Sequence, residues 1–162
     1  MEFRIAGIVP ESVVDGPGIR MAVFFQGCIH NCRGCHNPQT HDLQKGKLTT
    51  TENVLYQYKK NPLLDGITLT GGDPVFQSEA ALELSREIKK LGGNVWFYTG
   101  FTIEELVRRS DIIRELLSIV DCVVDGPFEI DKRDLTLEYR GSSNQRLLYR
   151  SDIDKYLDLK EV

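Results

Sequence analysis

The chain has 162 residues, 41% hydrophobic and 27% charged, enough for one globular domain that buries about 70% of its unfolded surface. Its 20 basic and 24 acidic residues leave a net charge of −4, too mild an imbalance to draw it to nucleic acid or to an anionic membrane. No apolar run approaches the roughly 20 residues of a spanning helix. Met1 to Arg4 open an amphipathic strand and not a secretory leader, so a cytoplasmic, reducing setting is expected and clustered cysteines read as ligands before disulfides.

Residues 3–9 read as a short strand ended by Pro10. Residues 13–18 follow as a tight turn, with Pro17 fixing its φ and Gly18 accepting a positive one. Residues 19–26 are strongly strand-like and deliver Cys28 at their carboxyl end. A helix is expected from Thr50 or Thr51, where hydroxyl caps precede Glu52, and Asn61-Pro62 stops it. Residues 66–70 form a buried strand that runs into Gly71-Gly72-Asp73-Pro74. From Ser78 to Leu91 the period is helical, with Ala81, Leu84, Ser85, Ile88 and Leu91 on the inner face and Gly92-Gly93 as the stop. Residues 94–99 form the next strand, in which Trp96 and Tyr98 face away from Phe97. Thr102 and Glu105 resemble a capping box that opens another helix. Residues 119–125 are a strand carrying Cys122, which reads as a small core residue. Residues 146–149 make a last strand, and a short helix from Asp152 closes the chain.

Glycines follow the strands at 27, 71, 100 and 126, at intervals of 44, 29 and 26 residues. A βα unit takes roughly 30 residues, and the first interval also holds the cysteine-rich loop. The alternation predicts an α/β fold with right-handed parallel crossovers. A closed eight-unit barrel needs about 250 residues, so the expected form is an open partial (βα) barrel of five to six mainly parallel strands with helices outside. Within one domain, residues 1–18 would form the N-terminal strand and turn, 19–150 the barrel core and 151–162 a C-terminal helix. Sites in such sheets lie at the carboxyl ends of the strands, so Cys28, Gly72, Gly100 and Gly126 are expected on one rim.

Three of the four cysteines, Cys28, Cys32 and Cys35, share a Cys-x3-Cys-x2-Cys spacing. Clustered soft ligands point to a metal or metal–sulfur centre. Closed zinc and iron–sulfur sites take four protein ligands, so three suggest an open position. A zinc site completed by a histidine or by Cys122 is the rival reading. His30 and His41 read as loop histidines, while His36 stands beside the last cysteine.

Taken with Gly71-Gly72-Asp73-Pro74, the cysteine spacing resembles the radical S-adenosylmethionine (SAM) superfamily. Asp15-Gly16-Pro17-Gly18-Ile19-Arg20, Phe25-Gln26-Gly27-Cys28 and Cys35-His36-Asn37 resemble activases of glycyl-radical enzymes. Cys28 to Cys35, Val124-Asp125-Gly126 and the stretch Arg140 to Gln145 are similar to the smallest branch, the anaerobic ribonucleoside-triphosphate reductase-activating proteins. The resemblance implies a [4Fe–4S] cluster on Cys28, Cys32 and Cys35, with SAM chelating the open iron. It also implies SAM contacts from Gly34, Cys35, His36, Gly71, Gly72 and Asp73. Reductive cleavage of SAM would give methionine and a 5′-deoxyadenosyl radical, which takes hydrogen from a glycine Cα of the reductase's catalytic subunit. The electron would come from a reduced flavodoxin or ferredoxin-like donor.

Two residues depart from the superfamily pattern: Gly34 stands where many members carry an aromatic, and Asp73 where a glutamate is usual. Glycines at 34, 71 and 72 would let backbone approach the ligand. Other readings kept open are an activase for a formate-lyase, a small-molecule radical SAM enzyme such as a deazapurine synthase, and a zinc- or cluster-binding adaptor without turnover.

Overall fold

The computed structural model describes residues 1–30, 32–35 and 38–159. Seven strands form one sheet: β1 (Glu2–Ser12), β2 (Arg20–Phe25), β3 (Lys47–Thr50), β4 (Gly66–Gly71), β5 (Asn94–Tyr98), β6 (Cys122–Asp125) and β7 (Arg146–Tyr149). Five helices accompany them: α1 (Thr51–Lys59), α2 (Ser78–Lys90), α3 (Ile103–Leu106), α4 (Asp111–Ile119) and α5 (Arg150–Asp158). The spatial order is β3-β1-β2-β4-β5-β6-β7, so the sheet is open, with β3 and β7 at its edges.

The expected five to six mainly parallel strands are therefore corrected. β2, β4, β5 and β6 are parallel neighbours, but β1 pairs antiparallel with both β2 and β3, and β7 pairs antiparallel with β6. The βα repeat supplies the parallel centre, and direct returns add an antiparallel strand at each flank. β1 also runs past Pro10 to Ser12, because the ladder to β2 breaks register between Val9 and Ser12, where a proline is tolerated. Strand β6 starts at Cys122, since Ile119 still belongs to α4. α5 likewise starts at Arg150, ahead of the expected Asp152.

Period-two alternation divides the central strands between two faces. Met21, Val23, Phe25, Ile67, Leu69, Val95, Phe97 and Val123 pack against Val54, Leu84, Ile88, Leu106, Ile113 and Leu116 from the helices. On the other face, Trp96, Cys122 and Val124 make a smaller cluster with Tyr98, Tyr139 and Leu147. Leu91, expected on the inner face of α2, is the C-cap and is largely exposed. Cys122 is fully buried there, and burial pushes its thiol up to about 12, as befits a packing residue.

At the amino ends of the central strands the sheet is pinned by Arg20, which is fully buried. Its guanidinium donates to the Thr68 hydroxyl (2.9 Å), the carbonyls of Pro17 (3.0 Å) and Ile67 (2.9 Å), and both oxygens of Asn94 (3.2 and 2.9 Å). Burial holds its pKa below the ordinary arginine value. Thr68 in turn donates to the Asp15 carbonyl (2.8 Å), so the turn over residues 15–18 is folded under the sheet. Arg20→Leu would strand these acceptors and is expected to cost about 3 kcal/mol. The check is the shift in urea midpoint, and an unchanged midpoint would show that Arg20 does not pin the sheet.

Candidate functional site

The carboxyl ends of β2, β4, β5 and β6 meet around a cavity of about 400 Å³. Cys28, Cys32 and Cys35 line it, facing Gly71, Gly72, Thr99, Gly100 and Gly126. The four residues expected on one rim do share it. Arg140, Gly141 and Gln145 from the late polar stretch line the same cavity, as do Tyr98 and Tyr139.

The cysteine loop is gripped by backbone. Gly27 N–H donates to Thr40 O (2.6 Å), Cys28 N–H to His41 O (3.1 Å) and Asp73 N–H to Gly27 O (2.8 Å). Gln26, buried at the end of β2, donates through its side chain to Gln39 O (3.1 Å) and Asp42 O (2.8 Å), which draws the returning chain back against the loop. Gly72 is needed for this contact, because a Cβ there would overlap the carbonyl oxygen of Gly27. Gly71, at φ +107°, would likewise drive a Cβ into the backbone of Phe25. The glycine requirement was legible in the sequence, and the adjoining backbone of Phe25 and Gly27 is one physical cause of it.

Asp73 has a different place from the one expected. It is fully buried and is not among the residues lining the cavity. Its carboxylate accepts from Val75 N–H (3.0 Å), the Thr99 hydroxyl (2.9 Å) and Gly100 N–H (2.9 Å), and lies 2.7 Å from His30 Nε2. His30 packs edge-on against Phe101, with ring centroids 4.5 Å apart, and the Arg109 guanidinium covers Phe101 from beyond (4.5 Å). Asp73 thus joins the cysteine loop to the ends of β4 and β5 and acts as a positioning residue. His30 and Thr99 are its partners, and sequence spacing gave no signal for either role. Gly34, at φ +75°, also lies outside the cavity lining, where a Cβ would press into Ile130. His36 falls outside the described residues.

The donor set fits a cluster. Each thiol meets a hydrogen-bonding group: the His30 backbone for Cys28, the Phe128 backbone for Cys32, and His41 Nε2 at 3.4 Å for Cys35. Such bonds are among the factors that set a cluster's potential. Burial pushes the Cys28 thiol up to about 11 and raises that of Cys32, while the backbone bonds pull the other way. Iron binding must then displace protons from these sulfurs. Among the described residues, no three His, Cys, Asp or Glu side chains converge on a point for a single ion. A four-iron cube takes each thiolate on its own iron, so its ligands need not converge. The cavity volume lies within the range of small-molecule sites, as a slot for SAM beside the cluster requires.

Residues 14–148 match the model of a family described as a 4Fe–4S single cluster domain. An anaerobic ribonucleoside-triphosphate reductase-activating protein from Vibrio cholerae is 37% identical over 144 residues, covering 84% of this chain and 91% of the relative. Its counterpart in Enterobacteria phage T4 is 34% identical, covering 90% and 93%, and that of Escherichia coli K12 is 34% identical, covering 84% and 92%. Among solved structures, QueE from Escherichia coli shares the fold with a TM-score of 0.51 at 18% identity, over 63% of this chain and 54% of that one.

The geometry of Asp73 has a measurable consequence. Asp73→Asn turns an amide N–H toward groups that themselves donate, and is expected to cost about 1–3 kcal/mol in unfolding free energy. Asp73→Glu forces a methylene into a closed site at a similar cost. Chemical denaturation of both variants checks this. Wild-type stability in both would mean that Asp73 holds no strand ends together.

Proposed function

The chain belongs to the family of anaerobic ribonucleoside-triphosphate reductase-activating proteins, and from that premise we propose how its residues carry the activation. It is a radical SAM enzyme whose cofactors are a [4Fe–4S] cluster and SAM, and its protein partner is the anaerobic reductase. The observation that carries the residue assignment is the shared cavity: three cysteines and the glycines of three strand ends open onto one space.

Cys28, Cys32 and Cys35 hold the cluster, and the three hydrogen bonds to their sulfurs set its electronics. The backbone of Gly71 and Gly72 borders the SAM slot. Cys35 borders it from the cysteine loop, and Asp73 acts from behind by holding that loop. When bound, cluster and SAM together supply reductive cleavage of the S–C5′ bond, with one external electron yielding methionine and a radical that takes hydrogen from a glycine of the reductase. The protein's own work is orientation and exclusion of solvent. No acid–base pair is required.

We read the sheet as one domain shaped as an open partial barrel. Phe24 of β2, Thr70 of β4 and Tyr98 of β5 floor the cavity, and its open side admits a partner loop. Among the described residues no helix is long and apolar enough to cross a membrane. Three thiols kept for iron suit a reducing cytoplasm, and a reduced flavodoxin or ferredoxin-like protein suits the single-electron supply.

Anaerobically reconstituted protein is expected to hold about four irons per chain and to cleave SAM on reduction. With the reductase present it should generate a glycyl-radical doublet by electron paramagnetic resonance. Cys28→Ala, Cys32→Ala and Cys35→Ala should each abolish the doublet, whereas Cys122→Ala leaves a cavity and lowers stability by about 1 kcal/mol while keeping activity. A fully active Cys32→Ala protein would refute the ligand assignment.

A further inference from the structure

Two ordered turns beside the cavity hold large apolar side chains out in water. The first follows β1. Its Ser12 hydroxyl donates to the Asp15 carboxylate (2.5 Å) and accepts from Val14 N–H (3.4 Å), so the turn is fixed, yet Val13 and Val14 are 69% and 72% exposed. The second lies between β6 and β7. Asp134 N–H donates to Gly141 O (3.2 Å) and Ser143 N–H to Lys132 O (2.9 Å), which folds that segment back on itself. At its tip the Asp134 carboxylate accepts from the backbone N–H and the hydroxyl of Thr136 (2.9 and 2.6 Å). Gln145 clamps its base, accepting from Gly141 N–H (2.9 Å) and donating to Gly126 O (3.1 Å). Leu135, at the tip, is 80% exposed.

Both turns border the cavity, and on the same side. Val14 and Leu137 line it. The Asp15 carbonyl accepts from Thr68, two residues before the cavity-lining Thr70 on β4. Tyr139 packs edge-on against Trp96, ring centroids 5.1 Å apart, two residues before the cavity-lining Tyr98 on β5. Each turn is therefore moored one step toward the amino ends of the parallel strands, whereas the cysteines follow the carboxyl end of β2. The side of the cavity away from the cysteines is framed by Val13 and Val14 on one flank and by Leu135 on the other.

A single exposed apolar residue needs no explanation, but several gathered at the mouth of a cavity mark a contact surface. Turns fixed in advance also lose little conformational freedom on association. The reaction names the occupant: the glycine Cα that gives up hydrogen belongs to the reductase, so the reductase must bring a segment of its chain into this cavity. With the cluster held at the cysteine end, that segment comes in from the other side.

We propose that Val13, Val14 and Leu135 are the apolar contacts on which the reductase seats the segment that carries its glycine. The inference rests on the reductase-activating reading of the site. Val14 continues the surface into the cavity, while Val13 and Leu135 stand outside its lining and can be altered without touching it.

The test uses Val13→Asp, Leu135→Asp and the double variant as cluster-loaded protein, with the cognate anaerobic reductase and without oxygen. Two quantities are read: SAM cleavage with reductant but no reductase, and the reductase concentration that half-saturates formation of the glycyl-radical doublet. Each single substitution should raise that concentration about 10-fold and the pair about 100-fold, as loss of one and of two buried aliphatic contacts does. SAM cleavage without reductase should stay within about twofold of wild type, inside the scatter of such measurements. Leu135→Met, which keeps an apolar contact, should stay near wild type in both, and so should Tyr56→Asp, which alters an exposed side chain on α1. An unchanged half-saturating concentration in the double variant would place the docking surface elsewhere, and a parallel loss of SAM cleavage would make the two residues supports of the fold. Either result overturns the proposal. A wild type that cleaves SAM but never yields the doublet would refute the reductase reading itself, and the proposal falls with it.

Discussion

The site depends on one buried carboxylate. Asp73 sits with no solvent exposure among a hydroxyl, two backbone N–H groups and a histidine ring, and these donors come from three different segments. An ionised carboxylate removed from water is costly unless its lone pairs are met. Meeting them here requires the cysteine loop, the turn after β4 and the end of β5 to occupy fixed relative positions. The Asp73 N–H bond to Gly27 O and the close approach of Gly72 to the same carbonyl add a backbone lock. Cys28 is one residue from that lock, so its placement is set by main-chain packing and not by a flexible side chain.

A second buried carboxylate works in parallel at the far end of the rim. Asp125 receives Arg146 from β7 (3.0 and 2.5 Å) and the Ile103 N–H at the start of α3 (2.8 Å). Arg146 also reaches Glu104, so β6, β7 and α3 are joined where the chain departs for the loop that carries Tyr139 and Arg140. The rim is thus fixed at both ends around a cavity that is not enclosed.

Much of this was legible in the sequence where the signal was local. The spacing of Cys28, Cys32 and Cys35, the strand-ending glycines and the capping box of Thr102 are all short-range patterns, and each lies where expected. What escaped was set by contacts distant in sequence. β3 has only four residues and pairs through β1 alone, so its strand character comes from a neighbour more than forty residues away. α4 begins at a Ser110 cap shortly after α3 ends at Leu106, a second helix start beyond the one expected at Thr102. The direction in which a side chain points is equally invisible: Asp73 differs from the usual glutamate only by a shorter reach in the sequence, whereas in the fold its carboxylate is fully buried among backbone and side-chain donors. Gly34 shows the same limit, since the space beside it belongs to Ile130, a residue of a distant loop.

The central claim is that the chain cleaves SAM in this cavity in order to take hydrogen directly from a glycine of the reductase. The most direct test uses reductase labelled with glycine deuterated at Cα, activated once by the reduced, cluster-loaded protein, with the 5′-deoxyadenosine product analysed by mass spectrometry. Direct transfer predicts that the product carries one deuterium for each glycyl radical formed. Unlabelled 5′-deoxyadenosine accompanying a full radical signal would contradict the account, because the hydrogen would then have come from another donor.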